Sequence, residues 1–169
     1  MRSAGVSKQR NEFAEFYQAS RDDCLRAVLA STGDRQEAQE CVAEAFARAW
    51  ASWRTVSQHP APRAWVVRTA LNHNVSRWRR RRREMPLGPG AERTAPGPDL
   101  GAVDTEIMAV LAGLPDRQRQ VVALRIFLDL DTATTAQTLG IAPGTVTAHL
   151  ARATAALRAQ LNRQGADHE

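Results

Sequence analysis

Thr135-Ala136-Gln137-Thr138-Leu139-Gly140-Ile141-Ala142-Pro143-Gly144-Thr145-Val146 reads as a helix, a tight turn and a second helix. Ala136 is small enough to let two helices approach closely. Gly140 admits a left-handed backbone, and Ile141 and Val146 supply the apolar contacts that lock the second segment to the first. The pattern predicts a short helix from Thr132 to Leu139 and a longer one from Pro143 to about Leu161. Val146, Leu150, Ala153, Leu157 and Leu161 would face inward on the longer helix.

A helix-turn-helix of this kind lays its second helix in the DNA major groove with N-terminal side chains toward base edges. Here that would present Thr145, Thr147, Ala148, His149 and Arg152. An ordinary helical hairpin that touches no DNA would satisfy the same glycine and apolar positions. The discrimination has to come from the rest of the chain.

Working upstream, Val103, Ile107, Val110, Leu111 and Leu114 mark another helix. Pro115 suits the first turn of the next, which carries Val121, Val122, Leu124, Arg125 and Leu128. From Met85 to Gly101 four prolines and four glycines alternate with almost nothing to bury, the composition of a tether between domains. Before it, Phe13, Phe16, Tyr17, Leu25, Val28 and Leu29 recur at helical spacing and Gly33 is a plausible stop. Asp34 with Glu37 forms a capping-box signature. Ala38, Cys41, Val42, Ala45, Phe46, Ala49 and Trp53 then repeat at three and four, predicting one helix that runs through Trp53. Val56 to Pro62 reads as a loop, followed by a third helix with Ala64, Val67, Leu71, Val75 and Trp78 inward. No stretch alternates with period two, so the expected fold is all-α: two small helical domains joined by a Pro/Gly-rich linker.

Charge points toward a polyanion. Lys and Arg outnumber Asp and Glu by 23 to 18, and nearly all of the positive charge is arginine, whose planar fork matches phosphate. Much of it is concentrated in Arg77-Trp78-Arg79-Arg80-Arg81-Arg82-Arg83 at the end of the third helix. Cations there would release counterions from phosphates and the indole could stack on an unpaired base; a solvated charge run is the plainer reading. On the second helix Glu37, Glu40 and Glu44 share one polar stripe, a mild mutual repulsion that a cationic partner would offset.

Other classes recede. Cys24 and Cys41 sit on apolar stripes as small core residues, and the scattered His59, His73, His149 and His168 suggest no metal site. Neither a phosphate-cradling glycine loop, nor His-Glu-x-x-His, nor a nucleophile elbow is present, so neither catalysis nor a cofactor is expected. The start lacks the apolar region of an export signal and no apolar run approaches a bilayer span, so a cytoplasmic protein without membrane insertion is expected.

With these readings in place, four segments in order resemble the extracytoplasmic-function (ECF) sigma factors, the minimal members of the sigma-70 family. Gly33-Asp34-Arg35-Gln36-Glu37-Ala38-Gln39-Glu40-Cys41-Val42-Ala43-Glu44-Ala45-Phe46-Ala47-Arg48-Ala49-Trp50 resembles their core-binding segment. Arg63-Ala64-Trp65-Val66-Val67-Arg68-Thr69-Ala70-Leu71-Asn72 resembles the next segment of the same family region. Leu114-Pro115-Asp116-Arg117-Gln118-Arg119-Gln120-Val121-Val122 and Gly144-Thr145-Val146-Thr147 resemble their C-terminal DNA-binding domain. The resemblance implies residues 1–85 as sigma region 2, 86–102 as linker and 103–169 as sigma region 4. Such a chain binds core RNA polymerase and promoter DNA, and an anti-sigma factor is a further partner the family allows. By the same likeness Glu37, Glu40, Glu44 and Arg48 would meet the polymerase. Arg63, Asn72, Arg77, Arg79 and Arg80 would meet the −10 element, and Thr145, Thr147, His149 and Arg152 the −35 element as duplex.

The chain departs from the family pattern at Gln39, where an acid is common, and at His149, where arginine is frequent. Thr147, Ala151 and Thr154 are less basic or bulky than the family's recognition helix, and Thr132 to Leu139 lacks its usual tyrosine and glutamates. Two rivals stand beside this reading. One is a stand-alone helix-turn-helix regulator, which would usually need a dimerisation helix. The other is an RNA-binding module working through Arg77 to Arg83.

Overall fold

A computed structural model describes residues 2–84 and 102–166, and all of their regular structure is helical. The tether expected from Met85 to Gly101 lies outside the described residues. Helix α1 (Arg2–Thr32) ends where Gly33 takes a φ of +75° and donates its N–H to the Leu29 carbonyl at 2.8 Å. Asp34 then opens α2 (Arg35–Ala51) by accepting the Glu37 N–H at 2.8 Å, so the cap predicted from sequence forms.

The second helix does not reach Trp53 as expected. It stops at Ser52, whose N–H is taken up by Arg48 and Trp50 carbonyls, and the chain restarts as the one-turn α3 (Trp53–Val56). Aromatic packing explains the break. Re-aimed by the new turn, Trp53 is only 7% exposed with its ring 5.2 Å from Phe13 and 5.1 Å from Phe16. Phe46 meets Tyr17 edge-on at 4.9 Å, completing an aromatic cluster between α1 and α2.

Helix α4 (Pro62–Glu84) begins on a proline, whose fixed φ and missing N–H cost nothing in a first turn. Its inward stripe is Ala64, Val66, Val67 and Ala70, with Leu71 partly covered. Val75, expected inward, is 48% exposed: no described residue of α4 from Asn72 onward is buried, because the helix outruns the bundle it packs in. The side chain of Trp78 lies outside those described. Helices α1, α2 and α4 pack on one another as a three-helix bundle.

The C-terminal half comprises α5 (Ala102–Ala112), α6 (Asp116–Phe127), α7 (Thr132–Leu139) and α8 (Pro143–Ala166). Helix α8 touches α5, α6 and α7, and α6 also packs on α7. Leu161 was expected inward but is 57% exposed, lining with Ile107, Val110 and Leu157 an open recess between α8 and α5.

The hydrophobic cores do not stop at the halves. Leu124 and Leu128 of the C-terminal half are buried in the cluster built by α1, α2 and α4, while Ala30 of α1 is buried among Leu111, Leu114, Val122, Ala123 and Ala153. Burying each leucine contributes about 1.5–3 kcal/mol. Helix α6 lies along α1, and α7 lies against α4.

Candidate nucleic-acid interface

The turn between α7 and α8 folds as its residues dictate. Asp131 caps α7 by accepting the Thr134 N–H at 2.7 Å. Gly140 then takes a φ of +66°, and Ile141 N–H donates to the Ala136 carbonyl at 3.0 Å, closing the helix end. Ala136 and Val146 are buried together with Val121, which fixes α8 across α6 and α7. That packing leaves Thr145, Thr147 and Arg152 exposed along one side of the start of α8. His149 is half-buried with its Nδ1 covered and without a partner, so it offers less of itself to a groove than the others. Thr147 lends its hydroxyl to the Pro143 carbonyl at 3.3 Å and keeps its lone pairs for a partner.

The acidic stripe has cationic partners within the chain. Arg77 reaches from α4 to pair with Glu40, and Arg48 pairs with Glu44 at 2.8 Å one turn along α2. The Arg48 hydrogen bond holds the Glu44 carboxyl below the usual carboxylate range, and the hydrogen bond to Glu40 raises Arg77 further. A cationic partner from outside is thus not the sole way to offset the repulsion; it would have to exchange with these pairs. Glu37, Glu40, Glu44 and Arg48 do share one accessible side of α2, and that side continues onto α4. There Arg48, Asn72, His73, Ser76, Arg77 and Arg80 line one recess of about 210 Å³. The recess brings together residues expected to serve two different partners.

Arg79 stands exposed beyond the recess, and Asn72 and Arg80 are exposed on its wall. Arg63 does not join them. It is half-buried at the start of α4, where its guanidinium donates to Asp23 of α1 at 2.6 Å and to the Phe127 carbonyl of α6 at 3.3 Å.

Sequence reasoning overlooked a second arginine of this kind. Arg119 is 7% exposed, donating to the Asp116 carboxylate at 2.7 Å and to the Ser31 carbonyl of α1 at 3.4 Å. Its spacing of three from Val122 was the available signal, since it places the side chain on the buried stripe of α6.

Both thiols are covered: burial pushes Cys24 up to about 12 and raises Cys41 as well. Among the described residues no helix is long and apolar enough to cross a membrane.

Comparison with known proteins covers both halves. Residues 16–84 match the family model described as Sigma-70 region 2, and residues 104–157 the one described as Sigma-70, region 4. The chain is 32% identical over 156 residues to the RNA polymerase sigma-E factor of Streptomyces coelicolor, across 89% of its own length and 86% of the relative's. It is likewise 32% identical over 147 residues to the ECF RNA polymerase sigma factor SigL of Mycobacterium tuberculosis, covering 83% of each. Among solved structures it resembles the sigma factor RpoE bound to the anti-sigma factor NepR from Bartonella quintana. There the TM-score is 0.71 at 20% identity, over 89% of this chain and 97% of that one. It also resembles CnrH in complex with the cytosolic domain of CnrY, with a TM-score of 0.63 at 20% identity, over 95% and 94%. At that identity the two structures speak for the fold.

Proposed function

Since the chain belongs to the extracytoplasmic-function sigma factors of the sigma-70 family, alternative factors that direct transcription initiation, we propose that three of its surfaces divide that work. Residues 1–85 act as region 2, 86–102 as linker and 103–169 as region 4, a division supported by the two matched segments. The accessible side of α2, with Glu37, Glu40, Glu44 and Arg48, docks on core RNA polymerase by exchanging its internal ion pairs for the enzyme's cations. Helix α4 meets the −10 element through Asn72, Arg77, Arg79 and Arg80, joined by Arg63 once it is released from Asp23 and Phe127. Thr145, Thr147, His149 and Arg152 read the −35 element from the major groove.

The observation that carries this reading is the pairing of a well-formed helix-turn-helix, its reader helix exposed, with a second basic unit matched to region 2. A stand-alone regulator would not need that second unit. The protein acts by binding, without catalysis of its own, and works in the cytoplasm with the polymerase. The RpoE relative was captured with the anti-sigma factor NepR, and an anti-sigma factor is accordingly included among the partners proposed here.

Run-off transcription with purified core polymerase on a genomic promoter library tests the proposal: defined start sites are expected, and their absence would overturn it. Replacing Glu37, Glu40 and Glu44 together by lysine should abolish those transcripts while duplex binding by the full chain persists. Undiminished transcription would remove the acidic stripe from the polymerase contact.

A further inference from the structure

Three arginines from two helices converge on one recess. Arg48 comes from α2, Arg77 and Arg80 come from α4, and Asn72, His73 and Ser76 complete the wall. A volume of about 210 Å³ is room for about seven waters at roughly 30 Å³ each, enough for one phosphate group with a few of its waters. Two of the guanidiniums are already held: Arg48 donates through Nε to Glu44 at 2.8 Å, and Arg77 donates through Nη1 to Glu40. A guanidinium has five N–H donors and each of these bonds occupies one, so both arginines keep donors for a second acceptor. Being held also means that they lose little further side-chain freedom when an oxyanion arrives. His73 stands in the same cluster: the Glu44 carboxyl, kept low chiefly by its Arg48 hydrogen bond, also feels the His73 charge. Ser76 turns its hydroxyl to the Asn72 carbonyl at 3.0 Å and so forms wall rather than grip.

We propose that this recess is a phosphate seat restrained by its own acids: Arg48, Arg77 and Arg80 grip one phosphate group, helped by Asn72 and His73, while Glu40 and Glu44 limit how tightly it is held. The phosphate comes from the backbone of a single strand or from a small phosphate compound. Both present the same tetrahedral oxyanion, which guanidiniums bind through paired N–H donors. Where the source is the strand, the site deepens the proposed −10 contact and rests on that reading; it adds His73 to that contact and turns Arg48 toward DNA as well as toward polymerase. The acids oppose the ligand in two ways. They are like charges beside it, with Glu37 acting on Arg77 at longer range, and they occupy donors that it would otherwise receive. A cationic group drawn to Glu40 and Glu44 from outside lifts that opposition. Occupation of the acidic stripe and occupation of the recess therefore strengthen each other by the same factor in either direction, through shared side chains and without movement of the helices.

The test uses the full chain at constant ionic strength with two probes: inorganic phosphate, followed by phosphorus-31 NMR line broadening, and a short labelled thymidine single strand, followed by fluorescence anisotropy. Glu40→Gln with Glu44→Gln should bind at least roughly 5-fold more tightly than the parent, the factor that one like charge about 4 Å away is worth even in water. Ser76→Asp adds a carboxylate to the wall and should bind more weakly by a similar factor. Glu12→Gln with Glu15→Gln removes two exposed acids from α1, outside the recess, and should leave the affinity unchanged. Exposed ion pairs contribute little to stability, so helical content by circular dichroism should persist in every variant, and a gain of affinity cannot come from damage. If phosphate follows the variants and the strand does not, the seat belongs to a small phosphate compound; the reverse assigns it to the strand backbone. Equal responses from the α1 pair and the α2 pair, or no gain in the α2 pair with either probe, would overturn the seat. Run-off transcription by the parent judges the sigma-factor function separately, and its failure would leave the phosphate titration standing.

Discussion

The two halves of the molecule achieve helical packing by different means. The N-terminal half is held by large rings: Phe13, Phe16, Tyr17, Phe46 and Trp53 interlock between α1, α2 and α3, and among the described residues this half contains most of the buried apolar ones. The C-terminal half works with small aliphatic groups. Val121, Ala136 and Val146 form one small cluster, and the other depends on Ala30 from α1. Leu124, its best-buried leucine, and Leu128 are given over to the neighbouring core. The half proposed to read DNA is thus built round a thin turn rather than a large interior, and part of its apolar surface is buried against its neighbour.

That contrast can be broken by mutation. Phe46→Ala should cost about 3–5 kcal/mol of stability by urea denaturation, the largest effect expected, because it opens a cavity between rings that cannot collapse. Leu124→Ala should cost about 2–5 kcal/mol and should lower protection of amides in α1 as well as α6 during hydrogen exchange. Loss confined to α5–α8 would mean that the C-terminal half stands by itself and that the contrast is overstated.

Backbone effects come next. Gly140→Ala should cost about 1 kcal/mol, since Gly140 sits at a φ of +66° in otherwise open space. Gly144, four residues on, has open space and no such dihedral, so Gly144→Ala should be neutral within about 0.5 kcal/mol. Similar losses at both positions would show that packing, not the left-handed turn, governs the motif.

The smallest effect is one of pH. The backbone N–H of Thr134, and then its hydroxyl, hold the Asp131 carboxyl below its ordinary value. A carboxyl depressed on folding stabilises fully above its unfolded pKa, and this is lost as pH falls through the folded value. An acid titration should therefore melt the start of α7 below about pH 4 in the parent, and the acid-dependent part should vanish in Asp131→Asn. An unchanged titration in that variant would detach the cap from the acid response.

Much of this architecture was legible from residues. Gly33, Asp34 and Gly140 are local devices whose effect does not depend on distant neighbours, and they mark helix ends where expected. The helix-turn-helix was legible for the same reason. What could not be read depended on partners far along the chain. Trp53 leaves its expected helix because of Phe13 and Phe16, Val75 lies on an apolar stripe that outlasts the neighbours needed to cover it, and Leu161 faces an open recess beside α5. Arg63 was assigned to DNA from its place in a motif, whereas Asp23 and Phe127 decide where it points. Composition could not reveal that the segments before Met85 and after Gly101 share apolar contacts.

Cys24 lies on α1 with its thiol facing the Arg63 carbonyl, fully covered. At a pKa of about 12 only about one such sulfur in 10⁵ is ionised at pH 7, so alkylating reagents find almost no nucleophile while α1 and α4 stay together. The native chain thereby carries its own stopwatch: the rate at which an added iodoacetamide consumes this sulfhydryl counts the moments when those helices part, with no engineered probe.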